Sequence, residues 1–179
     1  MTVRNRRVRK VVGAVSAAVL VSGCGGVMEN PYNFSDEEIA EAAEKIQAWP
    51  SLEDTERLVT DVVVKIGEVT TEIAPAVQFR WHRERTSGGG CPGPFAYTDG
   101  LSITTQSLLS DVPIGDADWQ AVLDAAREIA TEAGIDQIEV LVDQPGRHDV
   151  TFFSADGNRI TFGTFKAASI RAITGCRRL

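Results

Sequence analysis

A chain of 179 residues carries 25 acidic against 18 basic side chains, a net charge of −7, with 43% hydrophobic residues. That length supports one domain with a real core, and so acidic a surface repels phosphate backbones, which argues against a nucleic-acid partner. No G-x-S-x-G, S-x-x-K or G-x-x-x-x-G-K string occurs, which removes the common nucleophile and phosphate-loop signatures.

The first ten residues, MTVRNRRVRK, hold five basic side chains and no acid, and VVGAVSAAVL follows up to Leu20. An apolar run of about ten residues is too short to cross a ~30 Å hydrocarbon core. A basic block, a short apolar run and a small-residue site are the parts of a secretory signal. Here the site is Val21-Ser22-Gly23-Cys24, which resembles the lipobox of bacterial lipoproteins. That resemblance implies cleavage before Cys24, whose sulfur takes a diacylglycerol carrying chains such as palmitate. An ordinary signal with an incidental cysteine is the plainer alternative. The Arg6-Arg7 pair hints at twin-arginine export, but Arg9 and Lys10 stand where that route wants apolar residues, so the general secretory route is expected. Losing five basic residues and no acid leaves 13 basic against 25 acidic residues, net −12. The expected location is therefore the extracytoplasmic side of the cell membrane, held by lipid rather than by a basic patch. The expected organisation is a leader over 1–23, a lipid-anchored tether over 24–34 and a single domain over 35–179.

Ser35 opens SDEEIAEAAEKIQAW, with Glu38 placed for a capping box and Ile39, Ala42, Ala43, Ile46 and Trp49 at helical spacing. Pro50 ends it. Ser51 caps a second helix whose stripe is Val59, Val62, Ile66, Val69 and Ile73, stopped by Pro75. AVQFRWHRER then alternates, with Val77, Phe79 and Trp81 on one face and Gln78, Arg80 and His82 on the other, as in a half-buried strand. The loop SGGGCPGP leads into FAYTDGLSITTQS, where Asp99-Gly100 marks a turn or strand start. Asp116 is expected to cap a third helix, with Trp119, Val122, Leu123, Ala126, Ile129 and Ala130 inward and Gly134 as its stop. DQIEVLVD reads as a strand, and HDVTFFSADGNRITFGTF as a hairpin turning at Asp156-Gly157. The halves align as helix, strand, strand repeated twice, with FAYTDGLSIT opposite FFSADGNRIT, although the shared letters are few. Short connections and alternating faces favour antiparallel pairing. The expected fold is α+β, an antiparallel sheet of four to five strands with helices packed on one face.

With Cys24 assigned to lipid, Cys91 and Cys176 remain, and outside the cytoplasm two such cysteines pair more often than not. A bridge would close a loop of about 85 residues, worth roughly 4 kcal/mol in the chain-entropy model. The competing reading makes Cys91 a nucleophile with His82 as its base. The lipobox, SLEDTERLVTDVVVKIGEVTTEIAPAVQFRW, Cys91 after the first strand and FKAASIRAITGC closing on Cys176 together resemble the LppA-like lipoproteins of mycobacteria and related actinobacteria. The resemblance implies an envelope lipoprotein with this fold and this disulfide; it implies no chemistry. Two features depart from the pattern: SGGG precedes Cys91, and the chain ends three residues after Cys176.

No metal or cofactor site is expected. His82 reads as an exposed strand residue and His148 as a loop residue, without the spacing of a zinc site. Backbone amides of SGGGCPGP could hold an anion, but a flexible loop anchored by the disulfide is the preferred account of that stretch. Asp36, Glu37, Glu38, Glu41 and Glu44 read as a solvated helix face with favourable charge at its N-terminus, since no calcium-loop string exists. Two functions stay open. The first is a non-catalytic binding or accessory module, meeting a lipid, glycan, peptide or envelope protein through the sheet face opposite the helices. Arg80, His82, Arg83 and Arg85 are its candidate surface, although strict alternation turns Arg83 and Arg85 to the other side unless the strand ends near His82. The second is an envelope hydrolase whose carboxylate site no motif reveals; a spacer role is a third, weaker option. The expectation is a non-enzyme.

Overall fold

The computed structural model describes residues 33–87 and 89–179. The leader, Cys24 and the tether as far as residue 32 lie outside the described residues, and among those described no helix is long and apolar enough to cross a membrane.

Helix α1, Asp36–Ala48, opens on the capping box: Glu38 N–H donates to Ser35 Oγ at 3.2 Å, and Ser35 N–H donates to Glu38 at 2.7 Å. These two bonds satisfy donors that a helix start otherwise leaves to water. Trp49 and Pro50 end it. Helix α2, Leu52–Ile73, is capped by Ser51 and buries Val59, Val62, Val63, Ile66, Gly67 and Thr70. Helix α3, Asp116–Glu132, buries Trp119, Val122, Leu123, Ala126 and Ala130, and Gly134 at φ +76° terminates it. Only a residue that tolerates the left-handed region closes a helix this way at low cost.

The sheet is larger than expected. Its strands are β1 (Arg80–His82), β2 (Thr86–Ser87), β3 (Ile103–Thr104), β4 (Ser107–Ser110), β5 (Gln137–Gln144), β6 (Arg147–Phe153), β7 (Arg159–Thr164) and β8 (Ala168–Ile173). All pairings are antiparallel, in the order β1-β4-β8-β7-β6-β5, and β2 pairs with β3, which also meets β8. The pairs His82↔Ser107 and Thr86↔Thr104 leave residues 83–85 facing only 105–106. One extra residue on one side is a bulge. β1 and β2 are therefore one bent lane, as are β3 and β4, and the eight segments fill six lanes. The sequence reading missed β8 because its inward residues are Ala168, Ile170 and Ala172, two of them too small to signal a core strand, although all three are fully buried.

One face of the sheet carries α2 and α3 over Val150, Phe152, Ile160, Phe162, Ile170 and Leu108. Burying each large apolar side chain there contributes about 1.5–3 kcal/mol before entropy is counted. A long helix followed by an edge strand and its inner neighbour occurs at both sheet edges, as α2-β1-β4 and α3-β5-β6. The letter match does not carry over: Asp156-Gly157 turns the β6–β7 hairpin, whereas Asp99-Gly100 follows a 3-10 turn over Gly93–Tyr97. Trp81 also departs from expectation. It lies on the helix side of the sheet, opposite Leu108 in register, yet is 46% exposed, because β1 sits at the edge.

A second, small core sits under α1. Cys91 and Cys176 are joined as a disulfide with Cα atoms 5.8 Å apart, packed with Ile46, Trp49 and Phe95. Beside it Arg177 is fully buried. It donates to Thr55 Oγ1 at 3.0 Å, Asp156 O at 3.0 Å and Cys176 O at 2.9 Å, pairs with the Asp156 carboxylate, and lies 4.9 Å over the Trp49 ring. Burial works against its charge and Asp156 opposes that effect. A Cβ on Gly175 would strike the Asp156 carbonyl and this guanidinium, so only glycine fits there.

Candidate functional site

Among the described residues no helix covers the sheet face away from α2 and α3, and its register aligns side chains in rows. One row runs Arg80, Leu109, Ser169, Gly163, Asp149, Val142; the next includes His82 and Ser107 on one side and Arg171, Thr161, Thr151 and Glu139 on the other. At the β1 end the face is hollowed into a cleft of about 400 Å³ lined by His82, Arg83, Ser107, Leu109, Thr161, Ser169 and Arg171.

Arg83 reaches this cleft through backbone conformation. β1 ends at His82, and Arg83 has φ +61°, the one positive value among the described non-glycine residues. A left-handed residue costs an L-amino acid roughly 1–2 kcal/mol, and bulges of this kind redirect side chains at sheet edges. The result is that Arg83 joins His82 instead of alternating away from it. Arg171 enters from β8, two lanes in. Among the described residues neither guanidinium makes an ion pair or a hydrogen bond.

The four residues singled out from sequence divide accordingly. Arg80 is on the open face but is held by Asp111, with Nη1–Oδ2 2.9 Å and Nη2–Oδ1 3.1 Å. His82 and Arg83 line the cleft. Arg85 leaves it, reaching to the helix side to pair with Glu56 of α2, Nη2–Oε2 2.9 Å. Arg171 was missed because its strand was missed. Within SGGGCPGP, among the described residues, Gly89 O accepts from the Ser102 hydroxyl at 3.1 Å.

Asp149 sits on the same face without a satisfied carboxylate. Its Oδ1 is buried without a hydrogen-bond partner and rests over Gly163, where a Cβ would come within 3.2 Å of it. Burial pushes this carboxyl above its ordinary value, partly offset by Arg147.

His148 is the largest correction to the sequence reading. It lies on β6, not in a loop, and is buried. Nδ1 is 2.8 Å from Asp143 Oδ1, Nε2 is 3.0 Å from Asp116 Oδ1, and the ring stacks on Trp119 at 4.7 Å. Asp116 accordingly does not cap α3; the N-cap is Gly115, with no side-chain cap. Its carboxylate accepts the Gly146 N–H at 2.7 Å and faces His148, and these two partners hold it below the ordinary range. The spacing Asp143–His148 becomes a contact because both flank the β5–β6 turn at Gly146, a pairing that a strand-and-turn reading of PGRHD could have found. Both carboxylates are more than half exposed, and both ring nitrogens are engaged. No group of three or more potential ligands converges on a metal position among the described residues.

The architecture is that of an α+β module with one helix-covered and one open sheet face. The family model for LppA, described as a lipoprotein confined to pathogenic Mycobacterium, matches residues 28–179. The chain belongs to the LppA family, which associates it with the cell envelope. The crystal structure of the lipoprotein LppA from Mycobacterium tuberculosis is similar to it with a TM-score of 0.56 and 12% identity, over 80% of this chain and 86% of that one; at that identity the likeness is one of fold. A DUF4853 family protein from Actinomyces odontolyticus matches at a TM-score of 0.45 and 10% identity, over 75% of this chain and 72% of that one. Comparison with curated proteins finds no match.

Proposed function

We propose that the chain is a non-catalytic binding module, anchored through diacylglycerol on Cys24 to the extracytoplasmic side of the membrane. Its cleft would take a hydroxyl-rich ligand carrying one anionic group, an acidic sugar. The observation that carries this reading is Arg83. A strained backbone turns it into a cleft where Arg171 also lacks a carboxylate partner among the described residues. A guanidinium without an internal partner offers its fork to a carboxylate or phosphate, and the hydroxyls of Thr161 and Ser169 suit sugar hydroxyls. The surrounding acid, net −12 without the leader, disfavours polyanions and anionic lipid surfaces but leaves room for a single charge seated between two cations. The alternative, an envelope hydrolase, draws less support. Both ring nitrogens of His148 are engaged, His82 has no orienting carboxylate among the described residues, and Cys91 and Cys176 are bonded to each other.

Calorimetric titration of the full chain in detergent tests this with glucuronate, glucose 6-phosphate, neutral glucose and glycerophosphoglycerol, the soluble part of an anionic lipid head group. The charged sugars should bind saturably. Glucose should bind at least about tenfold more weakly, and Arg83→Ala or Arg171→Ala should each cost about tenfold, as expected for a charge-assisted bond. Equal binding of glucose would sink the role assigned to the arginines. Preference for glycerophosphoglycerol would move the ligand to lipid and overturn the sugar class.

A further inference from the structure

The helix side of β1 carries a second, unrelated surface. β1 ends the sheet, so its outward backbone groups have no strand partner among the described residues. Beside it runs a groove of about 540 Å³ between α2 and the strand, floored by Leu108, Phe79 and Val64 and flanked by Trp81, Glu68 and Glu72. Gly67 lets α2 approach this closely, since a Cβ there would stand 2.7 Å from Leu108 Cδ1. Trp81 is 46% exposed, whereas Trp119 is buried and Trp49 is stacked on Phe95 beneath Arg177. Glu68 and Glu72 have neither a cation nor a hydrogen bond among the described residues, whereas Glu56, farther towards the start of the same helix, pairs with Arg85.

We infer that this groove is a strand-addition site for an extended segment of another envelope protein, with a basic, an apolar and a basic side chain on alternate residues. An edge strand supplies main-chain affinity, and pockets for alternate side chains supply selectivity. Successive side chains of the added strand point to opposite faces. Those directed to the helix side meet Trp81 with the apolar group and Glu68 and Glu72 with the two cations. Those directed to the open side stand near Arg80 and His82, where small neutral residues fit best. The recruited segment therefore follows the pattern of KTVTKT. A large exposed aromatic in a groove is the composition of an interface anchor, and the unpaired carboxylates beside it select a basic partner.

The test uses fluorescein-labelled peptides and the full chain in detergent, read by anisotropy. KTVTKT should bind saturably, and the charge-inverted ETVTET about tenfold or more weakly. Trp81→Ala should weaken KTVTKT by more than about tenfold with an unchanged melt, and Glu68→Gln combined with Glu72→Gln by about threefold to tenfold. Backbone hydrogen bonds of an added strand come from alternate residues. A single N-methyl amide at the third or at the fourth peptide residue should therefore abolish binding in one case and spare it in the other. Arg83→Ala and Arg171→Ala, on the opposite face, should leave peptide affinity unchanged, so failure here is separable from failure of the sugar site. Equal effects of the two methyl positions, equal binding of ETVTET, or no binding below about 1 mM would each overturn the inference.

Discussion

Two corners of this molecule use arginine in opposite ways. At the C-terminal corner Arg177 is enclosed, with bonds to Thr55, two backbone carbonyls, Asp156 and Asn158 and with an indole beneath it. At the β1 corner Arg83 and Arg171 face an open cleft with no partner among the described residues, one of them on a strained backbone. A buried cation must be fully paired or the fold loses several kcal/mol. A cation left unpaired at the surface costs little, and its donors remain free for something else. Arg177 therefore holds the chain end to α2 and to the β6–β7 turn, while Arg83 and Arg171 are suited to recognition.

The comparison can be broken most forcefully at the enclosed corner. Replacing Cys91 and Cys176 together by alanine releases a loop with a sequence separation of 85, and should cost about 4 to 5 kcal/mol in chemical denaturation if the chain-entropy model holds. Arg177→Ala leaves the Asp156 carboxylate without its cation and should cost about 3 to 5 kcal/mol; a loss below about 1 kcal/mol would mean the corner is not held by this residue. At the open corner the sign reverses. Arg83→Gly relieves the left-handed backbone and should raise stability by about 0.5 to 1 kcal/mol while weakening binding of the acidic sugar about tenfold, so a variant that is less stable would show that Arg83 serves the fold. The smallest effect belongs to Asp149. Its folded carboxyl is raised by burial, so its ionisation opposes folding. That cost is absent below pH about 3.9, where both states are protonated, and fully present above the raised folded value. Asp149→Asn should therefore flatten this part of the pH–stability profile and gain no more than about 1 kcal/mol at neutral pH. A variant that is less stable at pH 7 than the parent would show that the ionised carboxylate has a partner.

Local signals were legible wherever the chain settles its own hydrogen bonds or periodicity. Ser35 and Glu38 lie three apart and close a capping box regardless of what packs behind them, and the α2 stripe and the Asp156-Gly157 turn follow from spacing alone. Trp81 alternates correctly, yet its exposure depended on β1 being an edge, and edge position is a property of strand order. Asp116 has the composition of a cap but is drawn away to His148 and Gly146, partners about 30 residues distant.

The sequence by itself determined that three helices form, their extents to within a residue or two, that the chain is α+β, and, through its lipobox-like leader and two remaining cysteines, the expectation of an anchored and cross-linked envelope protein. Only the tertiary structure decided which cations are spent on the fold and which are left over. Arg80, Arg83, Arg85, Arg171 and Arg177 are the same residue type. Whether Asp111, Glu56, Asp156 or, among the described residues, no carboxylate stands opposite depends on a bulge of one residue, the lane assigned to β8 and the path of the chain end, and none of these is encoded within the few residues that a local pattern spans.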